Sequence, residues 1–365
     1  MLTPLSETDL SEVIRAAPGP LRIIGGGTRD YGPVLAGQVL TTAGLSGITL
    51  HEPGALTLVA QAGTPLAAVE AALAAAGQRL AFEPMDHRRL LGTSGEPTIG
   101  GVVAANVSGP RRVQAGAARD FLLGVRFVDG SGQVVKNGGR VMKNVTGLDL
   151  ARLMAGAHGT LGVLTEVAFK VLPQVEASAT LVLRGLDDTR AVAALAAGLG
   201  SPFEVTGAAH DPEAGVTRLR IEGFAASVAY RAGRLVEVLG RFGLAEVVDF
   251  DWAQVRDVLD FARRPGDVWR LSVRPSDAPK IVARLGLPVR YDWGGGLVWV
   301  LAPAGTDLRA LIGSFAGHAT LIRASTGTRA RIAPFQPEPA ANAAIAKGLR
   351  ARFDPRGILN PGLMD

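Results

Sequence analysis

The run Thr98-Ile99-Gly100-Gly101-Val102-Val103-Ala104-Ala105-Asn106-Val107-Ser108-Gly109 decides how this chain is read. Two glycines stand ahead of small and β-branched side chains, and Asn106, Ser108 and Gly109 close the run. Small residues let a backbone approach a ligand closely, and the polar ones supply direct hydrogen bonds. A Gly/Ala turn packed against a neighbouring element is the competing reading. The run lies within residues 82–119, which read as mostly loop and also hold Glu83-Pro84-Met85-Asp86.

Two more glycine-rich stretches flank it. Upstream, an apolar strand at 21–24 runs into Gly25-Gly26-Gly27-Thr28-Arg29-Asp30. The dinucleotide fingerprint G-x-G-x-x-G opening a helix fails here, because Asp30 stands where the last glycine belongs and Tyr31-Gly32-Pro33 cannot start a long helix. No Gly-Lys-Ser/Thr follows, so the Walker pattern fails too. Such a loop either binds an anion through its own backbone N–H groups or is a plain tight turn. Downstream, Gly156-Ala157-His158-Gly159-Thr160-Leu161-Gly162 precedes a strand. His158 reads as a base or, more ordinarily, as a hydrogen-bonding loop residue.

Around these stretches the pattern predicts a helix over 10–16 and a strand over 56–62. A helix capped by Thr64 follows, with Pro65 in its first turn and a stop at Gly77. A hairpin is expected over 121–136 about Asp129-Gly130-Ser131-Gly132, then a helix over 148–154 and a strand over 163–172. After Pro173 the elements run strand, helix, strand, strand, helix, strand to residue 250, the order of a ferredoxin-like unit. Further elements follow: helix 252–262, strands 268–274 and 296–301, helix 308–318, strand 320–324. The tail from 337 reads as a helix and then Phe353-Asp354-Pro355-Arg356-Gly357-Ile358-Leu359-Asn360-Pro361-Gly362.

Taken together, the three loops and the tail resemble the vanillyl-alcohol-oxidase-type flavoproteins, the PCMH-type FAD-binding fold. That resemblance implies a loop on the FAD pyrophosphate at Gly25, Gly26, Gly27, Thr28, Arg29 and Asp30. It implies further FAD contacts from Pro84, from Thr98, Gly100, Gly101, Ala105, Asn106, Ser108 and Gly109, from Gly159, Thr160, Gly162 and Val163, and from Asn360 near the flavin ring. More narrowly, Glu83-Pro84, Gly109-Pro110-Arg111-Arg112, Met142-Lys143-Asn144-Val145-Thr146-Gly147, Trp269-Arg270-Leu271-Ser272-Val273 and Asp292-Trp293-Gly294-Gly295 are similar to the FAD-binding E subunits of bacterial glycolate oxidases. The fold class implied is α+β. Residues 1–172 would be a PCMH-type FAD-binding domain, 173–330 an α+β (ferredoxin-like) cap carrying substrate, and 331–365 a C-terminal segment returning to the flavin. The partners implied are a second FAD-binding subunit, an iron–sulfur subunit and a small 2-hydroxy acid.

Composition agrees with that division of labour. The chain has 365 residues, 47% hydrophobic and 19% charged, enough for packed cores. It has no cysteine, which excludes disulfides, thiolate catalysis and a cysteine-held cluster in these residues. Family members that bind flavin covalently use a histidine or cysteine; the loop at 25–30 has neither, so noncovalent FAD is expected. The five histidines, 51, 87, 158, 210 and 318, stand far apart and suggest no metal site. A net charge of +5 without a basic, aromatic-interleaved block argues against nucleic acid. The first twenty residues do not read as a signal peptide, and no apolar stretch reads as a membrane span. A cytoplasmic protein, or one held at the inner membrane through partner subunits, is expected.

A 2-hydroxy acid needs a cation for its carboxylate and a base for its hydroxyl proton. Arg270 is the candidate clamp, with an interdomain or surface salt bridge as its alternative, and Asp292 is the candidate polar partner. Trp269, Trp293 and Trp299 read as cap core. Two functions stay open: oxidation of glycolate or a similar acid by this subunit, or an electron-relay or assembly role with substrate oxidised in a partner.

Overall fold

The structure, a computed structural model, describes residues 1–33, 36–139 and 147–364. Residues 142–146 of the Met142–Gly147 motif lie outside the described residues.

The N-terminal half holds two main sheets and a short pair, Gln78–Arg79 with Leu172–Pro173. Leu21–Ile24 pairs in parallel with Gln38–Thr41, and Leu359 from the tail bridges back to Leu21. The helix Glu7–Ala16, capped by the Ser6 hydroxyl on the Asp9 N–H, closes this small layer by burying Leu10 and Ile14. The second sheet is antiparallel and has five strands in the order Ile48–Glu52, Thr57–Gln61, Val163–Lys170, Leu122–Val128, Val134–Gly138. The expected hairpin is its last pair, turned by Asp129, whose Oδ1 accepts from the N–H groups of Ser131 and Gln133.

The expected ferredoxin-like order is present, and it occurs twice. One antiparallel sheet of eight strands runs Glu246–Val248, Ala177–Arg184, Val216–Gly223, Val205–Asp211, Val289–Asp292, Leu297–Ala302, Asp267–Val273, Gly317–Arg323. Its first four strands form one unit with the helices Asp188–Leu199 and Ala225–Leu239, and the last four repeat the order with Ala278–Leu285 and Leu308–Ile312. The two units join at one register pair, His210 with Tyr291.

This sheet is buried on both faces, and side-chain alternation sorts its residues. Along Leu297–Ala302, Val298, Val300 and Ala302 pack under the helices, while Leu297, Trp299 and Leu301 join an apolar cluster continuous with Phe82, Phe127 and Phe169 of the N-terminal half. On the neighbouring strand Trp269 and Leu271 pack under the helices, so Arg270 and Ser272 face the N-terminal half. Trp269 is therefore cap core as expected, whereas Trp293 and Trp299 belong to the layer between the halves.

Four local expectations are corrected. Residues 99–104 form a short helix, Ile99–Ala104, because the Thr98 hydroxyl caps the Gly101 N–H at 3.2 Å and Gly100 N–H bonds to Ala62 O at 2.8 Å. Thr64 does not cap the next-door helix Leu66–Ala75; its hydroxyl donates to Gln61 O at 2.7 Å and accepts from Gly47 N–H at 2.9 Å. Helix 252–262 is two short helices, Ala253–Arg256 and Leu259–Ala262, interrupted at Val258, whose φ is +49°. Helix 308–318 stops at Ile312, before Gly313 with φ +72°, and His318 lies on a strand instead.

Candidate active site

At Gly25 and Gly26 the loop 25–30 folds against residues 96–98, just ahead of helix Ile99–Ala104, so closely that a side chain has no room. A Cβ on Gly26 would lie 1.6 Å from Glu96 O, one on Gly25 2.4 Å from the Thr98 hydroxyl, and one on Gly100 2.6 Å from Ala62 O. The glycines thus serve packing as well as openness, which merges the two readings of the sequence. They leave a cavity of about 220 Å³ lined by Gly25, Gly26, Gly27, Thr28, Arg29, Asp30, Thr98, Gly101, Ala105 and Asn360. A narrow extension of about 60 Å³ reaches Gly100, Gly159, Gly162 and Val163.

Arg29 is the cation of this cradle that no carboxylate pairs among the described residues. Its Nε–H donates to His87 Nδ1 at 3.3 Å, and its Nη2 is buried with no partner among the described residues. Burial and the Arg29 charge push His87 down to about 3, so the imidazole is neutral and can accept. A buried N–H without an acceptor costs about 1–3 kcal/mol. An anionic oxygen would satisfy it, so the residues present fit a phosphate-bearing cofactor at this end. Asp30 is spoken for by Arg22 at 3.2 Å and by Arg329 at 3.7 Å. Asn360, with φ +45°, ties the tail to the cradle: its Oδ1 accepts from Ile23 N–H at 2.7 Å and its Nδ2 donates to His158 O at 2.8 Å.

Pro84 and Thr160 line none of these cavities. The Thr160 hydroxyl is turned inward onto Ala157 O at 2.7 Å, and Pro84 follows Glu83, whose carboxylate engages the cap. His158 has φ +51° and is held down to about 4 by burial and by Arg29, so it is a neutral lining residue.

Tyr31, Ala105 and His158 also line a second, larger cavity of about 590 Å³ between the halves. Asn106, Ser108 and Gly109 reach this cavity rather than the cradle. From the cap come Arg270, Ser272, Asp292, Trp293, Trp299, His318 and Thr320; Arg112 comes from the N-terminal half. Arg270 forms no hydrogen bond or ion pair among the described residues, so its salt-bridge alternative is not realised. Its guanidinium carbon lies 5.1 Å from the Trp293 ring. Desolvation, with Arg112 nearby, lowers it to about 10, where it stays charged. Asp292 is buried, and burial pushes its carboxyl up to about 7 although one oxygen accepts from Trp293 N–H at 2.7 Å. The site therefore pairs a free cation with a carboxyl group balanced between its protonation states. Arg112, His318, Tyr31 and His87 went unread in the sequence; alternation from Arg270 across the sheet would have flagged only His318.

An ion cluster docks the halves beside this cavity. Arg220 of the cap grips Glu83 through two bonds of 2.8 Å, and Arg111 grips Glu222 of the cap at 2.6 and 3.0 Å. Arg79 adds a contact to Glu222 at 3.2 Å. Burial opposes ionisation of Glu222, yet Arg220 and Arg111 hold it down to about 2.

Comparison with known proteins agrees with this geometry. A family model described as "FAD binding domain" matches residues 1–138. The chain is 38% identical over 350 residues to glycolate oxidase subunit GlcE of Escherichia coli K12, covering 94% of this chain and 92% of that protein. It is 40% identical over 85 residues to glycolate oxidase subunit GlcD of Bacillus subtilis 168, which is 23% of this chain and 18% of that protein. Among solved structures, p-cresol methylhydroxylase with bound substrate superposes with TM-score 0.71 at 15% identity, over 99% of this chain and 88% of the other, a likeness of fold. No described helix is long and apolar enough to cross a membrane.

Proposed function

This FAD-binding chain belongs to the family of the glycolate oxidase subunit GlcE, and we propose that it takes part in oxidising glycolate or a similar 2-hydroxy acid to the 2-oxo acid, as the FAD-binding subunit of a glycolate oxidase-type complex. The observation that carries the reading is Arg270, an unpaired guanidinium in a cavity contiguous with the glycine-lined cradle.

In this reading residues 25–30 would hold the pyrophosphate end of FAD without a covalent bond, with Arg29 Nη2 supplying the cation. FAD, when bound, would supply the redox chemistry as the two-electron acceptor for oxidation of the acid. Arg270 pairs the substrate carboxylate through its planar fork. Asp292, held near 7, receives the hydroxyl proton on the oxygen that does not cap Trp293. Trp299, Leu297 and Ile322 form the apolar part of the cavity wall. Residues 1–172 carry the cofactor, 173–330 carry Arg270 and Asp292, and 331–365 return Asn360 to the cradle. A second flavoprotein subunit and an iron–sulfur subunit complete the electron path, since a thiolate-held cluster needs cysteines these residues lack. The experiment is reduction of the bound flavin by glycolate without oxygen, with Arg270→Ala as the comparison.

A further inference from the structure

An arginine meant for a substrate carboxylate must be aimed without using up its donors. A neighbouring acid would aim it but would also occupy the N–H groups the substrate needs. The cavity solves this with an aromatic face. The guanidinium carbons of Arg112 and Arg270 lie 4.8 and 5.1 Å from the Trp293 ring. A ring face attracts a cation through its quadrupole and takes no N–H donor. Arg270 keeps all its donors, and Arg112 spends one on the Ser108 hydroxyl at 3.2 Å.

Trp293 is itself fixed from both halves of the molecule. Its indole Nε1–H donates to Gly109 O in the N-terminal half at 3.0 Å, and its backbone N–H donates to Asp292 at 2.7 Å. Its φ of +54° is uncommon for a bulky residue, and strain of this kind persists only where surrounding contacts enforce it. Gly294 and Gly295, at φ +68° and +100°, complete the turn. Arg112 follows directly on Arg111, which the cap holds through Glu222.

We propose that Trp293 is the positioning residue of the acid-binding end of the cavity: it gathers one arginine from each half over its ring and presents both to a small carboxylate. This rests on reading the cavity as the acid site. The FAD-loaded protein is titrated with acetate, following the flavin difference spectrum to obtain Kd, and mixed without oxygen with glycolate, whose Kd is read from the concentration dependence of the flavin-reduction rate. Trp293→Leu is expected to raise Kd for both acids about tenfold, with FAD content unchanged. Trp293→Phe, which keeps a ring face but loses the bond to Gly109, should recover most of that loss. Arg112→Met, which leaves the tryptophan turn intact, should raise Kd several-fold and serves if the leucine variant does not fold. Glycolate affinities within twofold of the parent in Trp293→Leu or Arg112→Met would overturn the proposal, as would a phenylalanine variant no better than leucine. A parent protein whose flavin responds to neither acid would overturn the cavity reading itself, and the proposal with it.

Discussion

Replacing Glu222 by Gln removes one charge from the cluster that docks the two halves while keeping the side chain's shape. Glu222 is 6% exposed and contacts Arg111, Arg220 and Arg79. Moving its carboxyl from 4.5 to about 2 stabilises the charged form by about 3 kcal/mol. Breaking a buried pair from one side typically costs about 3–5 kcal/mol, so the two estimates agree. With an unfolding entropy of about 2.1 cal/mol/K per residue, a chain of this size loses about 4 °C of Tm for 3 kcal/mol. The folded value is lowered, so the contribution is present above about 4.5 and fades as pH falls towards 2. Calorimetry of both proteins at pH 7 and then downward should show Glu222→Gln about 4 °C less stable at pH 7, with the gap closing in acid. Glu246→Gln, which removes an exposed contact to Arg184 at 3.8 Å, should shift stability by under about 1 kcal/mol. A Glu222→Gln protein within 1 °C of the parent, or a gap that stays constant into acid, would refute the reasoning.

Three further outcomes are expected. Arg29→Gln should weaken FAD binding to the apoprotein by roughly 10- to 100-fold while leaving riboflavin binding unchanged, since the lost bond is to the pyrophosphate; equal losses for both flavins in fluorescence titrations would contradict it. Acid precipitation should leave FAD in the supernatant, and flavin retained in the pellet would show a covalent link. Asp292 has a raised folded value, so it contributes stability below about 3.8 that is lost as pH rises through about 7. Asp292→Asn should therefore be more stable than the parent at pH 8 in thermal melts, and its glycolate oxidation should be lost together with any acid limb near 7; an unchanged activity profile would remove Asp292 from the chemistry.

Much of the scaffold was legible because its signals are local. The strand Leu21–Ile24 lies where its apolar run put it, and the Asp129 hairpin and first ferredoxin-like unit follow from turn residues and element order. The strand Val289–Asp292, which helps complete the second unit, is only four residues long, too short for a clear period; the helix Ala278–Leu285 carries a first-turn proline and a following left-handed Gly286, signals that went unread. The helix at Ile99–Ala104 was hidden by Gly100 and Gly101, poor helix formers that tertiary contacts override. The glycine loops pointed to the cradle, but the pairing of Arg29 with His87 depends on residues 58 apart. The ion cluster and the Trp293 stack are assembled from both halves, so no window of sequence contains them. Arg270 was found by its residue type; that it is unpaired is a fact of the fold.

The central claim is that this chain's own cavity delivers a 2-hydroxy acid to its FAD. The purified chain, loaded with FAD and free of oxygen, is mixed with glycolate while the oxidised-flavin absorbance is followed. Bleaching in the parent protein, with Arg270→Ala needing roughly 10- to 100-fold more glycolate for half-maximal reduction, is the predicted result. Flavin that stays oxidised at every glycolate concentration, or that bleaches identically in Arg270→Ala, would contradict it and place substrate oxidation in a partner subunit.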